Sequence, residues 1–254
     1  MKAFITNLTL AIILLACTPN ETPQGQLLVS DVPLTIINLN TASADIALFF
    51  TDEQQLRLEY IGFLPAAIEY NLTSNNNELF FEDLRSEQPD GPNYRYRLHL
   101  FVPTSWPLRI ISLTTHNATI EIWGQNNSVT LIETTTTNNR IVIDNINSNI
   151  INATSISGHT TMGGLNISTV SAGTMQLVSH NGLVNLSLNH SLQAIKLNAQ
   201  LNGGTLRTLP DGRLYESSVN LNLAGDEPLM VINIEARQSF ITVDLADRTA
   251  PQLQ

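Results

Sequence analysis

The chain has 254 residues, 43% hydrophobic and only 13% charged, with 22 Asp and Glu against 12 Lys and Arg, a net charge of -10 and one cysteine. Neutralising phosphates takes a dense basic face, so this balance excludes a nucleic-acid binder; Lys2 and Lys196 are the only lysines. A long solvated helix or coiled coil draws on Glu, Lys and Arg and is excluded too, since the polarity here comes from 27 Asn and 26 Thr, a strand-and-turn composition.

At the N-terminus one positive charge, Lys2, precedes an apolar run from Ala3 to Ala16. That run is long enough for a signal peptide and too short for a spanning helix, which needs about 20 residues. It ends Leu14-Leu15-Ala16-Cys17, which resembles the bacterial lipobox. The resemblance implies cleavage after residue 16, lipidation of Cys17, and a membrane partner held through that lipid. Thr18 stands where aspartate would favour retention at the inner membrane, which points to the outer membrane of a bacterial envelope. Residues 17–30 (CTPNETPQGQLLVS) read as a tether, being rich in Pro, Gly, Asn and Gln. With its only cysteine lipidated, the folded part has no disulfide and must hold by packing and hydrogen bonds.

From Val32 onward short apolar runs alternate with period two: Leu34, Ile36; Leu56, Leu58, Tyr60; Tyr96, Leu98, Leu100, Val102; Ile141, Ile143; Phe240, Thr242. This is the strand signature, with Leu64 to Tyr70 the best helix candidate. Composition shifts near Pro103. Residues 31–107 hold most of the aromatics and charge and read as an N-terminal β cap region, and residues 108–245 are Asn- and Thr-rich; 246–254 form a tail.

Within the second region Ile120, Ile141, Met162 and Leu183 recur every 21 residues, each preceded by turn-type residues, and Ile111, Ile132, Ala153, Thr174 and Ile195 follow the same interval. A 21-residue unit cannot bury its own apolar face, whereas stacked units share one core and satisfy each other's backbone. The expected fold is therefore all-β, a parallel β-helix-like solenoid with coils of about 21 residues. An evenly spaced β-sandwich is the alternative. The segment from Pro210 to Gly225 and a last strand near Phe240 read as the closing elements.

Several segments resemble a known group. Phe101-Val102-Pro103, Leu108 to Thr115, and Ala118-Thr119-Ile120-Glu121-Ile122-Trp123-Gly124, with Gly203 to Pro210 and Ala236 to Val243, are similar to bacterial adhesin-like families of unknown function. These are the auto-transporter adhesin, head GIN type, and its near relatives. The resemblance runs from about Val32 to Leu245 and implies a β-helix-like surface or periplasmic protein without catalytic residues. Ala118, Arg140, Thr161 and Ser239 stand where those families usually carry a turn glycine.

Stacking places Asn117, Asn138, His159 and His180 in one polar turn ladder, with His159 and His180 one unit apart. Two imidazoles could approach a metal ion, but no carboxylate or cysteine shares their phase, so the ladder is read as polar, with no metal and no cofactor. The repeat-region acids Glu121, Glu133 and Asp144 fall out of phase with one another and so do not form a glycosidase pair. No Gly-rich phosphate loop or Gly-x-Ser-x-Gly is present. Tyr60, Tyr70, Tyr94, Tyr96 and Trp106 read as packing in the first region, with a sugar-stacking face as the alternative. The sequence thus implies a non-enzymatic, lipid-anchored, adhesin-like or scaffold protein that meets glycans, proteins or copies of itself through polar ladders. A polysaccharide lyase or hydrolase on a β-helix is the alternative.

Overall fold

In the computed structural model, the described residues are 24–62, 70–75, 77–83, 96–137, 139–156, 163–188, 195–209, 212–222 and 230–244. They form 18 strands and no helix. The strands are β1 (Gln24–Ser30), β2 (Ile36–Thr41), β3 (Asp45–Thr51), β4 (Leu56–Gly62), β5 (Tyr70–Asn75), β6 (Glu78–Asp83), β7 (Tyr96–Pro103), β8 (Ile110–His116) and β9 (Ile120–Thr137), followed by β10 (Arg140–Ile156), β11 (Gly163–His180), β12 (Gly182–Leu188), β13 (Ile195–Asn202), β14 (Thr205–Leu209), β15 (Leu214–Tyr215), β16 (Val219–Asn222), β17 (Met230–Arg237) and β18 (Phe240–Asp244). The helix expected over Leu64 to Tyr70 lies outside the described residues except for Tyr70, which opens β5.

Backbone pairing arranges these strands in two rows. The first runs β5, β6, β2, β8, β9, β10, β11, β17, β13, β16. The second runs β1, β4, β7, β3, β9, β10, β11, β12, β18, β14, β15. The long strands β9, β10 and β11 bend and contribute a segment to each row. Pairing is parallel throughout the interior and antiparallel only at the two ends, where β1, β4 and β5 and then β15 and β16 cover the outermost parallel strands. Covered edges matter because an open parallel edge would recruit further strands.

Strand alternation sends one side of each row into a single apolar cluster that runs from Leu34 to Val243. In the first row, Leu79, Ile37, Ile111, Ile132, Ile151, Met175, Ile232 and Leu197 follow one another across the strands. In the second, Leu98, Ile46, Ile120, Ile141, Leu165, Val184, Ile241 and Leu206 do the same. All of these positions except Leu165, whose side chain lies outside the described residues, belong to that cluster.

The register corrects the constant interval of 21. Ile111 lies opposite Ile132 and Ile120 opposite Ile141, as the period predicts. Beyond a bulge between Asp144 and Ile146, however, Ile132 pairs with Ile151, not with Ala153. Ile141 then pairs with Leu165, 24 residues on, and Leu165 with Val184, 19 residues on. Twenty-one is the average of unequal corner lengths. Leu183, one residue out of phase, is left 54% exposed. Residues 24–30, read from sequence as part of a tether, are instead strand β1, paired antiparallel with β4. Nor does the shift in composition near Pro103 divide the pairing, because β2 and β3 sit directly against β8 and β9.

At the corner between the two rows, Asn117, Asn181 and Gln238 adopt left-handed backbone (φ 54, 54 and 49), joined by Gly203 (φ 72). Asparagine tolerates this region better than other side-chain-bearing residues. Asn117 N donates to Thr137 O (2.7 Å), Asn181 N to Arg237 O (2.8 Å) and Gln238 N to Asn202 O (2.9 Å). The left-handed residue thus comes just before Ala118 and Ser239, which explains why a side chain is accepted at those two positions. Beneath the corner runs a line of buried hydroxyls. Thr115 Oγ1 donates to Ala44 O (2.9 Å), Thr136 Oγ1 to Ala118 O (2.5 Å) and Ser155 Oγ to Asn139 O (2.7 Å). Each hydroxyl donates to a corner carbonyl of the adjacent strand pair, and Ala44 O accepts a second bond from Thr41 Oγ1 (3.3 Å).

Candidate functional site

Asn117 lies at the corner, and His180 does not share its position. His180 ends strand β11, in line with Ile156 and Arg237, and Asn181 takes the corner position. The unequal spacings put the histidine one residue out of phase. Its Nε2 is buried and has no hydrogen-bond partner among the described residues. Asn138, His159 and Cys17 lie outside the described residues. Among those described, no three His, Cys, Asp or Glu side chains come together as metal ligands, and no helix is long and apolar enough to cross a membrane.

The outward side of the second row gathers chemistry that periodicity alone did not assemble. Across β7, β3 and β9 the register sets Arg97 opposite Asp45, then His99, Ala47 and Glu121 in line, then Phe101, Phe49 and Trp123 in line. Strand β10 adds Val142 and Asp144, and β4 adds Glu59 and Arg57 on the other side. Alternation explains why these residues share a face: Ile46, Leu48 and Phe50 point into the core, so Asp45, Ala47 and Phe49 point out.

Ala47 is the small residue in its line, and the space above it is a shallow depression of about 130 Å³ rimmed by Asp45, Arg97, His99, Thr119, Glu121 and Arg140. Asp45 accepts a hydrogen bond from Thr119 N (2.9 Å) and lies 3.4 Å from Arg97 Nε. Glu121 lies 3.4 Å from Arg140 Nη2 and accepts from Trp123 Nε1 at 3.3 Å. Both arginines are about 60% exposed and held by long, solvated ion pairs of little energetic worth, so their guanidinium groups can turn toward a ligand.

Beside the depression Phe49 and Phe101 stack with ring centroids 5.4 Å apart and planes at 21°. The His99 ring meets both edge-on, at 5.6 and 6.2 Å. Arg57 lies over the outer face of Phe101, 4.5 Å from its centroid, and is itself clamped by Glu53 through two 2.8 Å hydrogen bonds and by Glu59. Trp123 continues the line and is 37% exposed. Burial, and then the positive charge of Arg97, lower the pKa of His99, while Glu59 and Glu121 oppose the shift. His99 is therefore a neutral hydrogen-bonding group at neutral pH.

Of the aromatics singled out in the sequence, Tyr60, Tyr96 and Trp106 lie elsewhere, while Tyr94 and the side chain of Tyr70 lie outside the described residues. Tyr96 is buried and donates its hydroxyl to Asp83 Oδ2 (2.8 Å), and Tyr60 and Trp106 pack against the core. Phe49, Phe101 and Trp123 were legible only as residues out of phase with the buried positions of their strands. A second depression, of about 210 Å³, lies on the first row among Gln176, Asn198, Gln200, Asn233 and Glu235. There Asn198 Nδ2 donates to Asn233 Oδ1 (2.7 Å) across the parallel pair β13 and β17.

No protein-family model matches the chain, and no curated protein does. Among solved structures it is similar to a candidate cell adhesion protein of Clostridium sporogenes (13% identity, 88% of this chain and 99% of that one, TM-score 0.44). It is also similar to a candidate adhesin of Bacteroides fragilis (13%, 87% and 96%, 0.45) and to one of Parabacteroides merdae (8%, 90% and 98%, 0.37). With TM-scores below 0.5, these neighbours lend no weight to a function.

Proposed function

We propose that the chain is a non-enzymatic β-solenoid of the bacterial cell envelope, adhesin-like or a scaffold, anchored at the outer membrane through lipid on Cys17. The observation that supports a binding role is the outward face of β7, β3 and β9, where a line of aromatic side chains borders a polar depression on a fully paired, rigid support. Rigid elements hold a recognition surface in place without an ordering cost at each encounter. A hydrolytic reading finds less support. The two carboxylates on the depression, Asp45 and Glu121, are each turned to an arginine, Arg97 and Arg140, instead of facing each other as an acid and nucleophile pair across one bond.

Two measurements test this. Replacing Cys17 with Ser is expected to release the protein from the membrane fraction and abolish palmitate labelling; retention of both would refute the anchor. Incubation of the purified chain with a polysaccharide panel is expected to leave every chain length unchanged, and cleavage of any of them would refute the non-enzymatic reading.

A further inference from the structure

We infer that the depression over Ala47, together with the line Phe101, Phe49 and Trp123, is a binding site for a neutral, pyranose-containing glycan; this rests on the binding role proposed above. A pyranose has two kinds of surface. Its C–H faces are apolar and slightly positive and settle on the negative face of an aromatic ring, and its equatorial hydroxyls need donors and acceptors at the ring edge. The site supplies both side by side: the exposed indole of Trp123 on β9 with the half-buried ring of Phe49 on β3, then Glu121 and His99 two residues along their strands and Asp45 four residues along β3 to accept or donate, with Arg97 and Arg140 at the rim. Carboxylate and guanidinium groups each offer two parallel hydrogen-bonding positions, the arrangement that matches adjacent hydroxyls.

Charge selects the neutral class. Arg57, Arg97 and Arg140 are matched by Glu53, Glu59, Asp45 and Glu121, so the face carries no positive excess to attract a uronate or sialate, and the chain as a whole is at -10. Size argues against a protein partner. Three strands at about 4.8 Å spacing and five residues at about 3.3 Å rise give a patch on the order of 200 Å², against about 800 Å² per partner in a stable protein interface. A depression of 130 Å³ is also small for an enclosed ligand, which fits one ring resting half-exposed.

The test applies the full-length chain to an array of neutral glucan, mannan and galactan oligosaccharides beside uronate- and sialate-bearing ones, followed by titration of the hits by tryptophan fluorescence. At least one neutral oligosaccharide is expected to bind and to perturb Trp123 emission. Trp123→Ala, which removes the platform, and Ala47→Gln, which fills the depression, are expected to weaken that binding about tenfold or more. Glu121→Gln, nearly isosteric, should weaken it without altering the melting midpoint. Glu216→Gln, on the exposed segment between β15 and β16, should leave binding unchanged. The inference is overturned if no neutral oligosaccharide binds, if binding survives both Ala47→Gln and Glu121→Gln, or if acidic glycans are preferred. Attachment to an intact cell surface or to a protein, with no oligosaccharide bound, would overturn this inference and leave the adhesin-like reading standing. Cleavage of a bound oligosaccharide would instead remove the non-enzymatic reading.

Discussion

At the N-terminal end the chain, after β1, lays down β2 and β3, then places β6 and β7 outside them and β8 and β9 on the opposite side. At the C-terminal end it goes outward first, to β13 and β14, and returns with β17 and β18 to fill the space beside β11 and β12. Between these ends, β8 to β12 stack in sequence order. The two ends share this out-of-order threading and differ in chemistry. Phenylalanine, tyrosine and paired charges cover the first, and the second is faced by Asn and Gln around an aliphatic interior. Out-of-order threading ties the terminal layers to distant sequence: Ile36 pairs with Ile110, and Thr174 with Val231. Such long-range pairing locks the ends at the cost of slow folding. The same threading makes a mixed outer face possible, because residues from three separated strands become neighbours.

The largest expected effect tests the returning layer. Ending the chain after Asn222 removes β17 and β18 and uncovers Met175, Leu177, Val184, Leu186 and Leu197. Losing the burial of Met230, Ile232, Ile234, Ile241 and Val243 costs on the order of 10 kcal/mol, comparable with the whole stability of a domain. Hydrogen exchange should show protection lost across β11 to β16; persistent protection of β13 would mean that it does not depend on the returning layer.

At the other end, Tyr96→Phe removes the donor to the buried Asp83 and should lower stability by about 1–3 kcal/mol in urea denaturation. A cost within error would show that the other contacts of Asp83 suffice. In the middle, Thr136→Val keeps the shape and removes the hydroxyl that satisfies Ala118 O, with an expected loss of about 1 kcal/mol. Equal losses for Thr115→Val would show that the hydroxyl line continues into the first end with the same weight.

The smallest effect is a pH dependence confined to the aromatic end. His99 is held below its ordinary 6.5 by burial and by Arg97, against the pull of Glu59 and Glu121, so the unfolded chain binds its proton more readily than the folded one. Its contribution is therefore complete above about pH 6.5 and is lost as the pH falls through the lower folded value. Urea midpoints measured from pH 8 to 5 should decline less in His99→Gln than in the parent chain; parallel curves would remove this role.

Much of the strand pattern was legible. Alternation in Tyr96 to Val102 at the first end and in Ile141 and Ile143 in the middle predicted strands that form, and the interval from Ile120 to Ile141 predicted a pairing that occurs. The interval failed at Leu183 because corners of unequal length can still close the same hydrogen-bonded register; only the strand segments are bound to a fixed rise. His180 falls one residue short of the corner for the same reason, and Asn117 and Asn181 hold left-handed backbone there.

By itself the sequence determined which side of each strand is buried, because period-two alternation is a property of the local backbone and needs no partner. It also marked Asn117, Asn181 and Gly203 as positions that tolerate left-handed backbone, since asparagine and glycine carry that preference themselves; Gln238 adopts it without that preference. The tertiary structure alone decided which strand lies beside which, and with it the gathering of Phe49, Phe101, Trp123, His99 and Glu121 around Ala47. Residues 52 and 74 positions apart in the chain become cross-strand neighbours only after long-range pairing has chosen among many compatible registers. No local preference encodes that choice; it follows from closing one continuous core with both ends covered.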